Sequence, residues 1–180
     1  MKKLRNQSGF SLIELLVVAT LIGVIVTSAT ALFLATTASN SRAALGILVK
    51  QNGDYALGSM TALIRSASRI TNCTQSSLTI VGRDGGTTVY TFDSANARIA
   101  SNGATLTSDK VRVNPSAAAD SDVATEVANS GFFCYPATNP TSVSIRFVVR
   151  AGNASTNTAI NTIREMATQR FSTTVGLRRY

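Results

Sequence analysis

The feature that most constrains this chain is a long, charge-free apolar run near its N-terminus. No charged residue occurs from Leu15 to Ala35, and about 20 consecutive, mostly apolar residues are enough for a helix to cross a bilayer. Lys2, Lys3 and Arg5 come shortly before the run, and such basic residues favour a cytoplasmic location. We therefore expect one membrane-spanning helix with a cytoplasmic N-terminus, followed by an exported remainder.

Three interpretations of this N-terminus compete. The first is a cleavable secretory signal, for which Ala29-Thr30-Ala31 offers a cleavage site of small residues. The second is a signal anchor that is never cut. The third is a helix that is processed on the cytoplasmic side and later extracted into a polymer.

Glu14 discriminates among these interpretations because it lies at the start of the apolar run. A carboxylate inside an apolar helix costs up to roughly 3 kcal/mol and is rarely retained without a partner. A secretory signal gains nothing from a carboxylate at the start of its apolar core. The simpler alternative is that the Glu14 side chain merely snorkels to the membrane interface. Cleavage between Gly9 and Phe10 would supply a partner, since the new α-amine has a pKa of about 8 and is mostly cationic at neutral pH.

The residues around Glu14 resemble the prepilin N-terminal motif of type IV pilins and of the pseudopilins of type II secretion. The matching residues, in order, are Gly9-Phe10-Ser11-Leu12-Ile13-Glu14-Leu15-Leu16-Val17. By this resemblance, Gly9 ends the leader peptide, and Phe10 is the first residue of the mature chain and the N-methylation site. Glu14 then pairs with the N-terminus of an adjacent subunit.

Further short features place the chain within this family. The segments 64–70 and 169–180 resemble the corresponding parts of minor pilins of the J or W kind. Many major pilins carry a proline where this chain has Ala31, whereas the pseudopilin that caps a filament tip often lacks the glutamate that is Glu14 here. The resemblance therefore implies a minor pilin or pseudopilin other than the cap.

The predicted fold class is α+β, with a long N-terminal helix packed on a C-terminal antiparallel β-sheet, as in pilins. We divide the chain into a leader peptide (1–9), a transmembrane half of the helix (10–35), an amphipathic half (36–70) and an extracytoplasmic β-rich domain (71–180). No proline occurs before Arg69, so one helix of nearly sixty residues is expected. Two helices joined near Asn52 are the alternative.

Hydrophobic periodicity locates the elements of the second part of the chain. An apolar seam with helical spacing comprises Ala56, Met60, Leu63, Ala67 and Ile70. Alternating and β-branched segments bounded by turn residues predict strands at 77–83, 87–92, 98–100, 105–106, 111–113, 143–150 and 171–177. The stretch 116–140 is expected to be a long loop held by Cys134. Phe132, Phe133 and Tyr135, beside Cys134, are expected to be buried under this loop, and an exposed binding patch is the alternative.

The two cysteines, Cys73 and Cys134, predict a disulfide bond in an exported domain. The bond would close a loop of about 60 residues, which the chain-entropy model equates with roughly 4 kcal/mol. Two buried free thiols are the alternative. A zinc site is excluded, because two cysteines without any histidine cannot supply four ligands.

The sequence offers little catalytic chemistry. Without histidine, neither a Ser-His-Asp nor a Cys-His arrangement is available, and no glycine-rich phosphate or dinucleotide motif occurs. Asp120 and Asp122 have a spacing that suits calcium, but solvated loop acids are the commoner case. We expect no enzymatic activity, no metal and no cofactor.

By the resemblance, the chain is held in the cytoplasmic membrane, cut and methylated by a prepilin peptidase/methyltransferase, and assembled by an inner-membrane platform. It then joins other pilin subunits, through its N-terminal helix, in a type IV pilus or a type II secretion pseudopilus. Two alternatives stay open. One is a pilus-associated module that binds DNA or a surface, since the net charge is +8, or +5 once Lys2, Lys3 and Arg5 are removed. The other is a membrane-anchored domain that never polymerises.

Overall fold

The computed structural model describes residues 11–115, 124–154, 158–159 and 167–178. The chain forms two compact units, Met1–Asn40 and Ser41–Tyr180. Helix α1, Leu12–Ser66, contains 55 residues and contributes to both units. The long N-terminal helix expected from the absence of proline is therefore confirmed, and it is not divided near Asn52.

Helix α1 ends before the last residues of its predicted apolar seam. Strand β1, Arg69–Cys73, follows almost at once, so Ile70 lies in a sheet instead of on the helix. The change of structure coincides with Ser68, whose backbone N–H and hydroxyl both donate to the carbonyl oxygen of Val81, at 2.8 and 2.9 Å. These bonds attach the chain to the neighbouring strand immediately after the helix.

The first sheet is an antiparallel meander in which each strand pairs with the next along the chain. Its five strands are β1, β2 (Ser77–Val81), β3 (Thr87–Asp93), β4 (Arg98–Ser101) and β5 (Ala104–Thr105). The β2–β3 turn is closed by Asp84, whose carboxylate accepts a hydrogen bond from the N–H of Gly86 at 3.0 Å. The hairpin predicted from Asp84-Gly85-Gly86 is present.

The second sheet is built around the long strand β8, Ser142–Asn153. One edge of β8 pairs with β10, Thr168–Gly176, in an unbroken antiparallel register. Two other strands, β6 (Val111–Val113) and β7 (Gly131–Tyr135), and the short β9 (Thr158–Ala159), also pair antiparallel with β8. The described strands thus form two antiparallel sheets, where the sequence led us to expect one.

The stretch 116–140 contains more structure than the predicted loop. Helix α2, Ala124–Ala128, and strand β7 both lie within it. Five residues without clean alternation are a weak strand signal, and β7 exists because β8 supplies its hydrogen-bonding partner. Of the aromatic residues expected to be buried here, Phe132 is 2% exposed and Phe133 is half-buried, whereas Tyr135 is exposed.

The hydrophobic core lies between the second half of α1 and the inner faces of both sheets. The helix contributes residues that recur every three or four positions, as a helical face requires: Val49, Gly53, Ala56, Met60 and Ile64. From the predicted seam, Ala56 and Met60 lie in this face, but Leu63 is exposed and its place is taken by Ile64. The sheets contribute inward-facing residues such as Leu78, Ile99, Ile145 and Phe147. This packing confirms the α+β, pilin-like architecture.

Candidate functional site

The carboxylate of Glu14, which stands out in the sequence, lies at the N-terminal end of α1. The N–H groups of Glu14 and Leu15 donate to the carbonyl oxygen of Ser11, at 3.0 and 3.2 Å, so the helix is already formed at this point. Glu14 lies in the first turn, where a carboxylate interacts favourably with the positive end of the helix dipole. Gly9 and Phe10 lie outside the described residues, and their processing stays a prediction.

The apolar side chains that follow Glu14 are exposed over most of their surface. Leu12 is 84% exposed, and Leu32 and Phe33 are each 70% exposed. Soluble proteins rarely expose a continuous apolar surface of this extent. Among the described residues, α1 is one helix that is long and apolar enough to cross a membrane. Such a surface fits a location in lipid or against other apolar helices.

The hydroxyl groups in this segment are satisfied within the helix. Each donates to a carbonyl oxygen three or four residues earlier, as in the bonds from Thr20 to Val17, Ser28 to Val24 and Thr30 to Val26, all at 2.8 Å. A polar group in a bilayer is costly unless it is hydrogen-bonded. The hydroxyl donors at these positions are therefore satisfied. Glu14, in the first turn of α1, differs from them because its side chain is charged.

One packing feature of the segment was not noticed in the sequence. Small residues occupy every fourth position along α1, namely Ala19, Gly23, Thr27, Ala31 and Ala35. In an α-helix residues four apart are neighbours on the surface, so these positions form a row that winds around the helix, and small residues let helix backbones approach closely in a membrane or a bundle. A search for small residues at a spacing of four would have found them.

The predicted disulfide joins the two sheets of the second unit. Cys73 ends β1 and Cys134 lies in β7, with an S–S distance of 1.98 Å and a Cα–Cα distance of 6.4 Å. Close by, the side-chain amide of Gln75 donates to the carbonyl oxygens of Ala128 and Ser130, at 3.0 and 2.8 Å. The bond and the amide together fix β7 to the first sheet.

The family comparison matches the part of the chain that contains Glu14. Residues 4–30 match the family model described as the prokaryotic N-terminal methylation motif, which is the signature of type IV pilins and pseudopilins. The chain carries the type IV pilin signature. No curated protein and no solved structure matches it.

The pilin signature and the exposed apolar surface of α1 coincide in the chain. The matched segment includes Glu14 and the first exposed apolar turns of α1. Proteins with this signature are structural subunits that associate with other pilins after processing. A single apolar helix near the N-terminus also fits a membrane-anchored pilin.

Proposed function

We propose that this chain is a minor pilin or pseudopilin that assembles into, or primes, a type IV pilus or a type II secretion pseudopilus. The observation that carries the proposal is the coincidence of the methylation motif with a helix whose apolar side chains are exposed. Such a helix is compatible both with a bilayer and with a bundle of like helices, which is what a subunit that moves from membrane to filament needs.

The proposed processing begins with cleavage after Gly9 and N-methylation of Phe10. Before cleavage, Lys2, Lys3 and Arg5 hold the N-terminus on the cytoplasmic side, and the unit Ser41–Tyr180 is exported. Cleavage removes three positive charges and creates a cationic α-amine at the start of the apolar helix.

Assembly is then driven by packing of apolar helices, with Glu14 setting their register. A buried pair between Glu14 and the Phe10 amine of a neighbouring subunit would hold the two helices at one relative height. Fixing register is the best-attested use of buried charge pairs. The row of small residues from Ala19 to Ala35 supports the close approach of helix backbones.

Two short resemblances favour the J or W kind of minor pilin within this proposal. The segments 64–70 and 169–180 carry them. They contain the end of α1 with the start of β1, and the strand β10 with the residues that follow it.

The proposal is tested by determining the N-terminus of the native product by mass spectrometry. A chain that begins with N-methylated Phe10 is expected. A start at Leu32 would indicate ordinary secretion, and an intact Met1 would indicate an anchored domain that never polymerises. Either of these results would remove the proposed role.

A further inference from the structure

A cavity lies where α2 meets strands β8 and β10 of the second sheet. Its volume is about 340 Å³, and its polar lining includes Glu126 of α2, Asn129 and Ser130 after it, Arg146 of β8, and Arg170 and Ser172 of β10; the apolar residues Phe147, Val148 and Phe171 also line it. All of these residues belong to the unit Ser41–Tyr180. The proposed assembly role does not use this cavity.

Arg146 is the group in this cavity that is available to an anion. Its guanidinium carbon lies 5.3 Å from the centroid of the Phe133 ring, and the side chain is exposed. Across the β7–β8 pair, Arg146 faces Gly131, which has no side chain to obstruct it. Within the described residues, Arg146 forms no ion pair. Stacking on Phe133 therefore holds a guanidinium in place without neutralising it.

Helix α2 and the two residues after it supply hydrogen-bond acceptors to the cavity. Glu126 forms an ion pair with Arg170 through one carboxylate oxygen, so its second oxygen can accept from a ligand. The amide nitrogen of Asn129 donates to the Thr125 carbonyl at 3.0 Å, and the Ser130 hydroxyl donates to the Glu126 carbonyl at 2.8 Å. The Asn129 side-chain oxygen and the Ser130 hydroxyl oxygen can still accept, and the Asn129 amide has a second N–H to donate.

We infer that this cavity binds an acidic sugar, such as a uronic acid unit of an anionic polysaccharide. The sugar carboxylate fits the Arg146 guanidinium, which offers paired N–H donors to a planar carboxylate. Sugar hydroxyl groups donate to the acceptors contributed by Glu126, Asn129 and Ser130. The cavity thus combines one available cation with a cluster of acceptors, which is the pattern that a hydroxylated acid complements.

The same observations disfavour single-stranded nucleic acid. Nucleic-acid sites use exposed aromatic rings as stacking platforms along a continuous basic groove. Here the Phe133 ring is half-buried and lies beneath Arg146.

The inference is tested by titrating the full-length protein, in detergent, with tetragalacturonate. The matched probe is the fully methyl-esterified tetramer, which keeps the hydroxyl groups and loses the charge. Saturable binding of the acid is expected, with binding of the ester weaker by about tenfold or more, as befits loss of a hydrogen bond to a charged group. No binding of the acid, equal binding of both probes, or tighter binding of a 20-nucleotide oligo(dT) would overturn the inference.

Two cavity variants and one control variant test whether the acid binds in this cavity. Arg146→Gln should weaken tetragalacturonate binding by about tenfold, while Arg69→Gln, which removes an exposed arginine on β1 of the other sheet, should leave it unchanged. Ser172→Tyr, directly opposite Arg146 on β10, should block binding by filling the cavity while retaining the guanidinium. Unaltered circular dichroism and an intact Cys73–Cys134 bond show that each variant is folded. If both cavity variants bind like the unmodified protein, the assignment is wrong.

Discussion

The ring of Phe171 in β10 lies directly against the backbone of Gly53 in α1, so closely that a Cβ at position 53 would overlap it. Phe171 also stacks on Phe147 of β8, with 5.2 Å between ring centroids. The neighbouring residue, Asn52, accepts a hydrogen bond from the N–H of Ser108 at 2.8 Å. Asn52 and Gly53 together therefore attach the helix to β10 and to the loop that precedes β6.

Replacing Gly53 by alanine should destabilise the domain. The added methyl group must displace the Phe171 ring or the helix backbone, and such overpacking costs about 1–3 kcal/mol. Gly58→Ala is the matched control, because Gly58 lies in the same helix with no atom near its missing side chain. That control should stabilise the domain by up to about 1 kcal/mol through helix propensity.

Urea unfolding of the two variants measures the difference. The midpoint should fall for Gly53→Ala and stay level or rise for Gly58→Ala. A gain in stability for Gly53→Ala would mean that Phe171 does not require the glycine.

The role of Gly53 shows what periodicity could not predict. Glycine lowers helix propensity, so helix propensity alone marks Gly53 as a weak point of α1. The sequence of the helix does not show that the ring of Phe171, in a strand more than a hundred residues later, occupies the space where a side chain at position 53 would lie. In contrast, the helix itself and the apolar positions Ala56 and Met60 followed from spacing alone, since local patterns determine which face is buried.

The candidate sites also differ in whether the sequence alone could predict them. Glu14 was identifiable because one carboxylate in an apolar helix is exceptional, whatever surrounds it. The cavity around Arg146 was not, because its residues come from α2, β8 and β10 and meet only in the folded sheet. Strand β7 was also missed, since its pairing with β8 and the Cys73–Cys134 bond determine its place more than its own five residues do.

Removing the disulfide should reduce stability substantially. The bond links residues 61 positions apart, and the chain-entropy model assigns roughly 4 kcal/mol to a loop of this length. The double variant Cys73→Ser/Cys134→Ser should therefore unfold at a clearly lower urea concentration than the oxidised protein. The reduced, unmodified protein serves as the control and should resemble the double variant. Equal midpoints for the oxidised and reduced protein would contradict the predicted contribution.

Asp93 should make stability depend on pH in the acidic range. Hydrogen bonds from the Asn96 side chain at 2.7 Å and from the backbone N–H groups of Asn96 and Ala95 lower the pKa of Asp93 below its usual value. A lowered pKa in the folded state stabilises the fold above the unfolded pKa of about 3.9. This stabilisation is lost as the pH falls through the folded pKa.

The variant Asn96→Ala tests this dependence. It should be less stable than the unmodified protein at neutral pH, and the difference should shrink as the pH falls below about 4, where Asp93 becomes protonated in the unfolded chain. Urea midpoints measured across this range for both proteins give the comparison. A difference that is the same at every pH would show that Asn96 acts only through the shape of the turn.

Replacing Glu14 by glutamine should separate membrane insertion from assembly. Glutamine has nearly the same size but cannot form an ion pair with a cationic amine, so the register of neighbouring helices loses its charge pair. Insertion should be unaffected, because a neutral side chain is cheaper than a carboxylate in an apolar helix. Sheared filaments should contain much less of the variant, whereas the membrane fraction should contain the usual amount. Asp54→Asn, the same change at an exposed position of α1 whose acid pairs with Lys50 at 2.8 Å, should assemble normally. Normal incorporation of Glu14→Gln would remove the register role while leaving the membrane anchor intact.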